Sequence, residues 1–307
     1  MIVTKPPQAL TDNLLMLGTS EYPLYLFRDG DEALVFEGGV GACGPVLAQQ
    51  LARLGIDKRS VRQVVVTHAH PDHVMAVPAL RKLFPGVKVL ASAAAAATLS
   101  AEKAIAFFCK VDQALTDSLL KSGSITDAHR PQPLAEMKIP VDGLLQEGDT
   151  VKVGGAGFTV LATPGHSDCS LSFFEPARKV LVVSDATGYY LPPPDQAWWP
   201  NYFTDYGVYV NSMRRLAGLD AEVLCLSHNA ALTGAADVKA YFHAALEATE
   251  AYHRRIVDAV KSGQDARELA GRLGSEICAR AGLMGVDFFQ KNCALLIKLS
   301  LKEVDSK

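Results

Sequence analysis

Four potential metal ligands stand within six residues in His68-Ala69-His70-Pro71-Asp72-His73. Imidazole nitrogens and carboxylate oxygens are donors that zinc, iron and manganese all accept. At this composition an H-x-H-x-D-H string would arise by chance in roughly 3 of 10,000 such chains. A lone histidine is more often a surface or core residue than a ligand, but four donors packed together reverse that expectation. His68 and His70 sit two apart just past a β-branched run, where extended backbone points both side chains the same way. Asp72 and His73 fall where the next helix should begin, so the turning chain aims them at a second point nearby.

Three later loops share this context, each directly after an apolar strand. His166 lies in Thr163-Pro164-Gly165-His166-Ser167, Asp185 in Ser184-Asp185-Ala186, and His228 in Ser227-His228-Asn229. Ligands at the ends of several separate strands converge on one edge of a sheet, where such folds place their chemistry. The other three histidines, His129, His243 and His253, lie in loop or helical sequence and are expected to be structural or surface residues.

The elements that must position these residues follow from periodicity and punctuation. Short β-type runs at Leu14–Leu17, Pro23–Arg28 and Ala33–Phe36 are separated by Gly, Pro and Asp. Pro45–Leu54 has helical spacing and stops at Gly55; Gln63–Thr67 reads as a strand buried on both faces. A helix follows the histidine motif through Leu83, then a strand at Val87–Leu90. Ser92–Ser122 is Ala-rich and helix-prone, read either as another packing helix or as an inserted lid beside the site. Strands return at Thr150–Val153, Phe158–Ala162, Leu171–Phe174, Val180–Val183 and Val223–Leu226. Helices are expected at about Asp237–Ser262, Asp265–Ala281 and Asp287–Leu301.

Composition bounds the remaining choices. The 307 residues carry 30 Lys and Arg against 33 Asp and Glu and are 49% hydrophobic. That apolar content excludes a disordered chain, and a net charge of -3 argues against a nucleic-acid groove. The opening segment MIVTKPPQALTDN has no apolar run of a secretory signal, and no window approaches the roughly 18 apolar residues of a membrane span. The six cysteines form no CxxC and are expected to be reduced thiols, so the expected location is cytoplasmic.

The ordered set HxHxDH, TPGHS, Asp and late His resembles the metallo-β-lactamase-fold hydrolase superfamily over roughly residues 12–235. The resemblance implies an α/β fold, a four-layer αββα sandwich. It places a catalytic domain at 1–235, with a helical insertion at about 92–133, and a C-terminal helical extension at 236–307. In its dinuclear members the pattern maps His68, His70 and His166 to one metal, and Asp72, His73 and His228 to a second. Asp185 bridges the two. The implied cofactors are two divalent metal ions, zinc first, with iron or manganese also accommodated. Asp72 is implied to orient the attacking hydroxide or to pass a proton to the leaving group. Glu37, in the FEGG turn, is either a partner for a ligand histidine or a solvated turn carboxylate.

The substrate is less legible. Thr187–Tyr206 holds both tryptophans and several tyrosines. It reads either as an aromatic satellite core or as a hydrophobic acyl pocket, with Tyr189 or Tyr190 donating to a developing oxyanion. Lactonases of this fold use a Tyr shortly after the bridging Asp, and Tyr189 is the candidate here. The EGG turn, the Gly165-His166-Ser167-Asp168 segment and the Asp-Ala-x-Gly after the bridging ligand are similar to the quinolone-signal-response thioesterase branch. Glyoxalase II-type members share the ligands but use a basic C-terminal clamp for glutathione, which is not identifiable here. Ser184 and Ser227-His228-Asn229 stand where relatives often have Gly. The expected activity is hydrolysis of an ester, thioester or lactone by a metal-activated hydroxide. Its partner would be a small-molecule acyl substrate, with no nucleic acid and no membrane; a homodimer stays open. The alternatives are a mononuclear-iron sulfur dioxygenase-like oxidoreductase and a regulatory or partner-binding protein with the same metal site.

Overall fold

Short β-branched and aromatic runs that alternate their faces pair into two mixed seven-stranded sheets. The architecture is a computed structural model that describes residues 1–282 and 284–305. After β1 (Ile2–Val3), seven strands build the N-terminal sheet in sequence order. They are β2 (Gln8–Ala9), β3 (Leu14–Gly18), β4 (Pro23–Asp29), β5 (Glu32–Phe36), β6 (Val61–Val65), β7 (Lys88–Ser92) and β8 (Gly143–Leu145). The run from β5 to β8 is parallel and the rest antiparallel. The second sheet uses β9 (Thr150–Val153), β10 (Ala156–Ala162), β11 (Leu171–Glu175) and β12 (Val180–Ser184). A hairpin of β13 (Tyr189–Leu191) and β14 (Ala197–Trp199) stands apart from both sheets. With β15 (Val223–Leu226) and β16 (Ala231–Thr233), the second sheet runs β1-β16-β15-β12-β11-β10-β9, parallel only between β12 and β15.

Among the described residues, eight α-helices cover the outer faces. Over the N-terminal sheet lie α1 (Cys43–Leu54), α2 (Val77–Leu83), α3 (Ala93–Ser100) and α4 (Glu102–Ser122). Over the second lie α5 (Tyr206–Ala217), α6 (Ala235–Lys261), α7 (Ala266–Ala281) and α8 (Val286–Asp305). The layer order is therefore helix, sheet, sheet, helix. The period-two rule shows why β5 is apolar throughout: Leu34 and Phe36 enter the seam between sheets, while Ala33 and Val35 face the helices. In that seam Phe158 meets Phe27 and Phe36 edge-on at 4.9 and 4.8 Å, and Phe36 lies 5.1 Å from Phe173.

The strands and long helices expected from sequence are present. Several short strands were not expected, and three further details differ. The histidine motif runs into a single 3-10 turn, Pro71–His73, before α2 begins at Val77. Pro71 takes the first position of that turn, where no backbone donor is needed. Helix α5 has no counterpart among the expected elements, although Asp205 caps it by accepting from the Val208 amide at 3.0 Å. Third, the ligand loops leave strands of both sheets, not one. All six cysteines are free thiols. Among the described residues no helix is long and apolar enough to cross a membrane.

Candidate metal centre

The seven residues singled out by sequence meet where the two sheets open. Beyond β6, Thr67 accepts a backbone hydrogen bond from Leu171 at 2.9 Å, which ties the end of one sheet to the start of β11 in the other. His68 and His70 leave that junction. His166 comes from the β10–β11 loop, Asp185 from the end of β12 and His228 from the end of β15. The loop around His166 can pack only because Gly165 has φ 116°; a Cβ there would lie 2.3 Å from Tyr209 Cα.

Three ring nitrogens form a tight triangle. His68 Nε2 lies 3.0 Å from His70 Nδ1 and 3.2 Å from His166 Nε2, and His70 Nδ1 lies 2.9 Å from His166 Nε2. A tetrahedral cation with nitrogen bonds of 2.0–2.1 Å needs donor separations of about 3.3 Å, close to these. A second group gathers beside it. His73 Nε2 and His228 Nε2 stand 3.4 and 3.6 Å from Asp72 Oδ2. Asp185 lies between the groups: Oδ1 is 3.3 Å from His228 Nε2 and 3.7 Å from His73 Nε2, while Oδ2 is 3.4 Å from His166 Nε2. His73 Nε2 is buried with no hydrogen-bond partner, the orphaned nitrogen expected of a ligand. Grouping by mutual distance gives His68-His70-His166, His68-His73-Asp185 and Asp72-His73-His228 as sets that could hold an ion. The donors fit divalent metals.

Four of the five rings are turned by the bond their other nitrogen makes, a network from which their tautomers follow. His166 Nδ1–H donates to Asn201 O at 2.8 Å and His228 Nδ1–H to Glu21 O at 2.9 Å. His73 Nδ1–H donates to Glu37 Oε2 at 2.9 Å, with both groups buried. His68 Nδ1–H donates to Ser184 Oγ at 3.1 Å; Ser184 continues to Thr67 Oγ1 at 2.8 Å, and Thr67 donates to the Glu37 carboxylate at 3.1 Å. Of the two readings open for Glu37, the buried histidine partner is the one observed. Asp185 accepts from Asn201 Nδ2 at 3.2 Å and from the Ser227 hydroxyl. Ser184 and Asn229 have φ of 49° and 63°, in the left-handed region that glycine tolerates best.

The electrostatics divide the two groups. Burial, reinforced by neighbouring imidazoles, holds His68 low and brings His70 down to about 3; burial also lowers His166. These three stay neutral and keep lone pairs available. For His73, burial is outweighed by Asp72, Glu37 and Asp185, which raise it. For His228, burial is outweighed mainly by Asp185. Burial pushes Asp72 and Asp185 up, yet the imidazoles around them win and hold both low.

The site floors a cavity of about 300 Å³. Tyr189 lines it, with its ring 5.2 Å from that of His228, whereas Tyr190 turns into the core against Trp198 and Tyr241. The aromatic segment thus serves as both pocket and satellite core, sorted by strand alternation: Tyr189 and Trp199 face the cavity, Tyr190 and Trp198 the core. Helix α4 packs against the Pro71–His73 turn and lines the cavity, so the inserted helical stretch lies beside the site. The remaining histidines stand elsewhere: His129 bonds to Gln49 at 3.1 Å, His243 pairs with Glu247, and His253 stacks on Tyr206 at 3.9 Å.

Sequence reasoning missed Asn201, Thr67 and the Ser20–Tyr22 turn. In that turn, Ser20 O accepts from Asn229 N at 2.9 Å and Tyr22 packs edge-on to His228 at 5.5 Å. Thr67 had a signal, as the one hydroxyl in the buried run before His68. The turn had none.

Known proteins share this fold. A metallo-beta-lactamase family protein from Thermus thermophilus matches with a TM-score of 0.63 at 22% identity, over 96% of this chain and 95% of its own. The subclass B3 metallo-beta-lactamase BJP-1 of Bradyrhizobium japonicum matches with a TM-score of 0.58 at 18% identity, over 84% of this chain and 98% of its own. A hydroxyacylglutathione hydrolase from Cereibacter sphaeroides (strain ATCC 17025) is 30% identical over 172 residues, 56% of this chain and 46% of that protein. The chain spans about half the length of the curated relatives it matches. The sequence pattern of the Metallo-beta-lactamase superfamily matches residues 23–228, a span that includes all seven converging side chains. A four-layer sandwich that gathers its donors at the open edge of both sheets, together with that match, makes this chain a member of the metallo-beta-lactamase superfamily.

Proposed function

We propose that the chain is a hydrolase that holds two divalent cations and cleaves an ester, thioester or lactone. The observation that carries this reading is Asp185, whose two carboxylate oxygens face two different donor groups. His68, His70 and His166 would hold one cation, Asp72, His73 and His228 the other, with Asp185 shared. Bound there, divalent metals supply Lewis acidity and bring the pKa of water towards neutrality. Zinc suits the three-imidazole group best, and iron and manganese are compatible.

The chain's own groups supply the rest. Asp72 is the most exposed of the carboxylates in the cluster and lines the cavity, where it can accept a proton from water and pass it to the leaving group. Burial pushes the Tyr189 hydroxyl up to about 12, so it remains protonated and able to donate to a carbonyl oxygen that gains charge. Asn201 steadies both His166 and Asp185. The relatives named as hydroxyacylglutathione hydrolases support hydrolysis and put thioesters first among the three substrate types.

The test is a panel of acyl thioesters, lactones and phosphodiesters, assayed with zinc-, manganese- and iron-loaded protein whose metal content is measured. Turnover of thioesters or lactones at two metals per chain is expected. One iron per chain, or turnover of phosphodiesters alone, would overturn the proposal.

A further inference from the structure

The cavity above the site has walls from parts of the chain far from the ligand loops, and their chemistry is mostly apolar, with Asn292 of α8 the polar exception. From α4 come Phe107, Val111 and Leu115; from α7 and α8 come Ile277, Cys293 and Leu296. Among the described residues that line it, none is Lys or Arg. Its acidic and basic side chains are gathered at the floor, in the two aspartates and three histidines already described. Ile277, Cys293 and Leu296 are buried and form the inner wall, while Phe107 and Phe288 stand 60% and 41% exposed and form the lips of the mouth. An apolar wall rewards burial at about 25 cal/mol per Å² of hydrocarbon and leaves a charged group without compensation.

We infer that this chamber selects an uncharged, apolar acyl group, a medium-length alkyl or an aromatic one, and rejects anionic groups. This rests on the hydrolase reading and names the substrate class within it. The scissile carbonyl lies at the floor beside Asp72 and Tyr189. The acyl tail lies along the inner wall of α7 and α8, and the leaving group points out between Phe107 and Phe288. Specificity therefore belongs to α4, α7 and α8, not to the ligand loops. A volume of about 300 Å³ is at the small end of ligand pockets, which suits a single chain or ring and not a peptide.

Two measurements test this, one of them independent of turnover. Trp199 lines the chamber, and Trp198→Phe removes the only other tryptophan. In that variant, 2-octanone should shift Trp199 emission saturably, at concentrations at least about tenfold below those needed for acetone, and glutathione should not. In the second measurement, a common neutral thiol carries acetyl, octanoyl and phenylacetyl groups. Octanoyl and phenylacetyl should exceed acetyl by about tenfold or more in kcat/KM, and Val111→Phe should erase most of that preference. Phe288→Ala, an exposed lip position, is the folding-neutral check and should lower the preference through KM. Failure of 2-octanone to bind, or equal binding of glutathione, would overturn the inference. Turnover with no dependence on acyl length would overturn it and leave the hydrolase standing. Binding of 2-octanone with no turnover of any ester, thioester or lactone would sink the hydrolase reading and leave the chamber.

Discussion

Glu37→Gln isolates one link between the buried hydrogen-bond network and the metal donors. The Glu37 carboxylate takes the His73 Nδ1–H at 2.9 Å and the Thr67 hydroxyl at 3.1 Å, and it is buried. Gln keeps the shape and one acceptor oxygen but removes the charge. A hydrogen bond to a charged group contributes about 1.5–3 kcal/mol and a neutral one about 0.5–1.5, so the loss is about 1–1.5 kcal/mol. That weakening falls on the orientation and basicity of His73, hence on the second cation, by about 5–15-fold in affinity. Competition against a chromophoric chelator, read as two successive binding steps, measures it. The step that depends on His73 should fall most, with a smaller loss in the other, which Glu37 reaches only through Thr67, Ser184 and His68. Melting of the chelated variant alongside its parent controls for misfolding. If Glu37→Gln binds both equivalents like the parent while His73→Ala loses one, the chain of reasoning from Glu37 through His73 is wrong.

Chelated protein should lose stability as pH falls from about 6.5 to 5, because His68, His70 and His166 stay neutral when folded but protonate when unfolded. His68 and His70 each cost about 1.4 kcal/mol per pH unit in that window and His166 adds in the same direction; His73 and His228, raised instead, already contribute fully there and add no slope. Denaturant titrations at the two pH values check the sign, and a flat profile would contradict it. Gly165→Ala should destabilise by about 3 kcal/mol or more, since its Cβ would strike the Tyr209 backbone at an unfavourable φ; soluble yield and melting report it. Phe158→Ala should cost about 3–5 kcal/mol in denaturant unfolding, as it empties the seam against Phe27 and Phe36.

Much of the centre was legible because metal donors announce themselves by type and by position at strand ends. His68, His70, Asp72 and His73 needed only local spacing, and His166, Asp185 and His228 needed only the apolar strands before them. What sequence could not convey were contacts across great chain separation. Glu21 O reaches His228, 207 residues away, and nothing in a Ser-Glu-Tyr turn announces that reach. Strands β1, β2 and β16 are two or three residues long, too short for a period-two pattern to register. The C-terminal helices read correctly as helices, yet their place against the cavity depends on packing that periodicity does not encode. The aromatic segment could be resolved only by a register, β13 against β14, that sorts its rings to opposite sides.

The aromatic seam has one more consequence. His68, His70, Asp72 and His73 hang from the N-terminal sheet, and His166, Asp185 and His228 from the other. The gap between those two sets is inherited from the thickness of Phe27, Phe36, Phe158 and Phe173 stacked between the sheets. Hydrocarbon thus serves as the spacer that gauges a coordination site, and ring size in the seam calibrates donor separation without touching a donor.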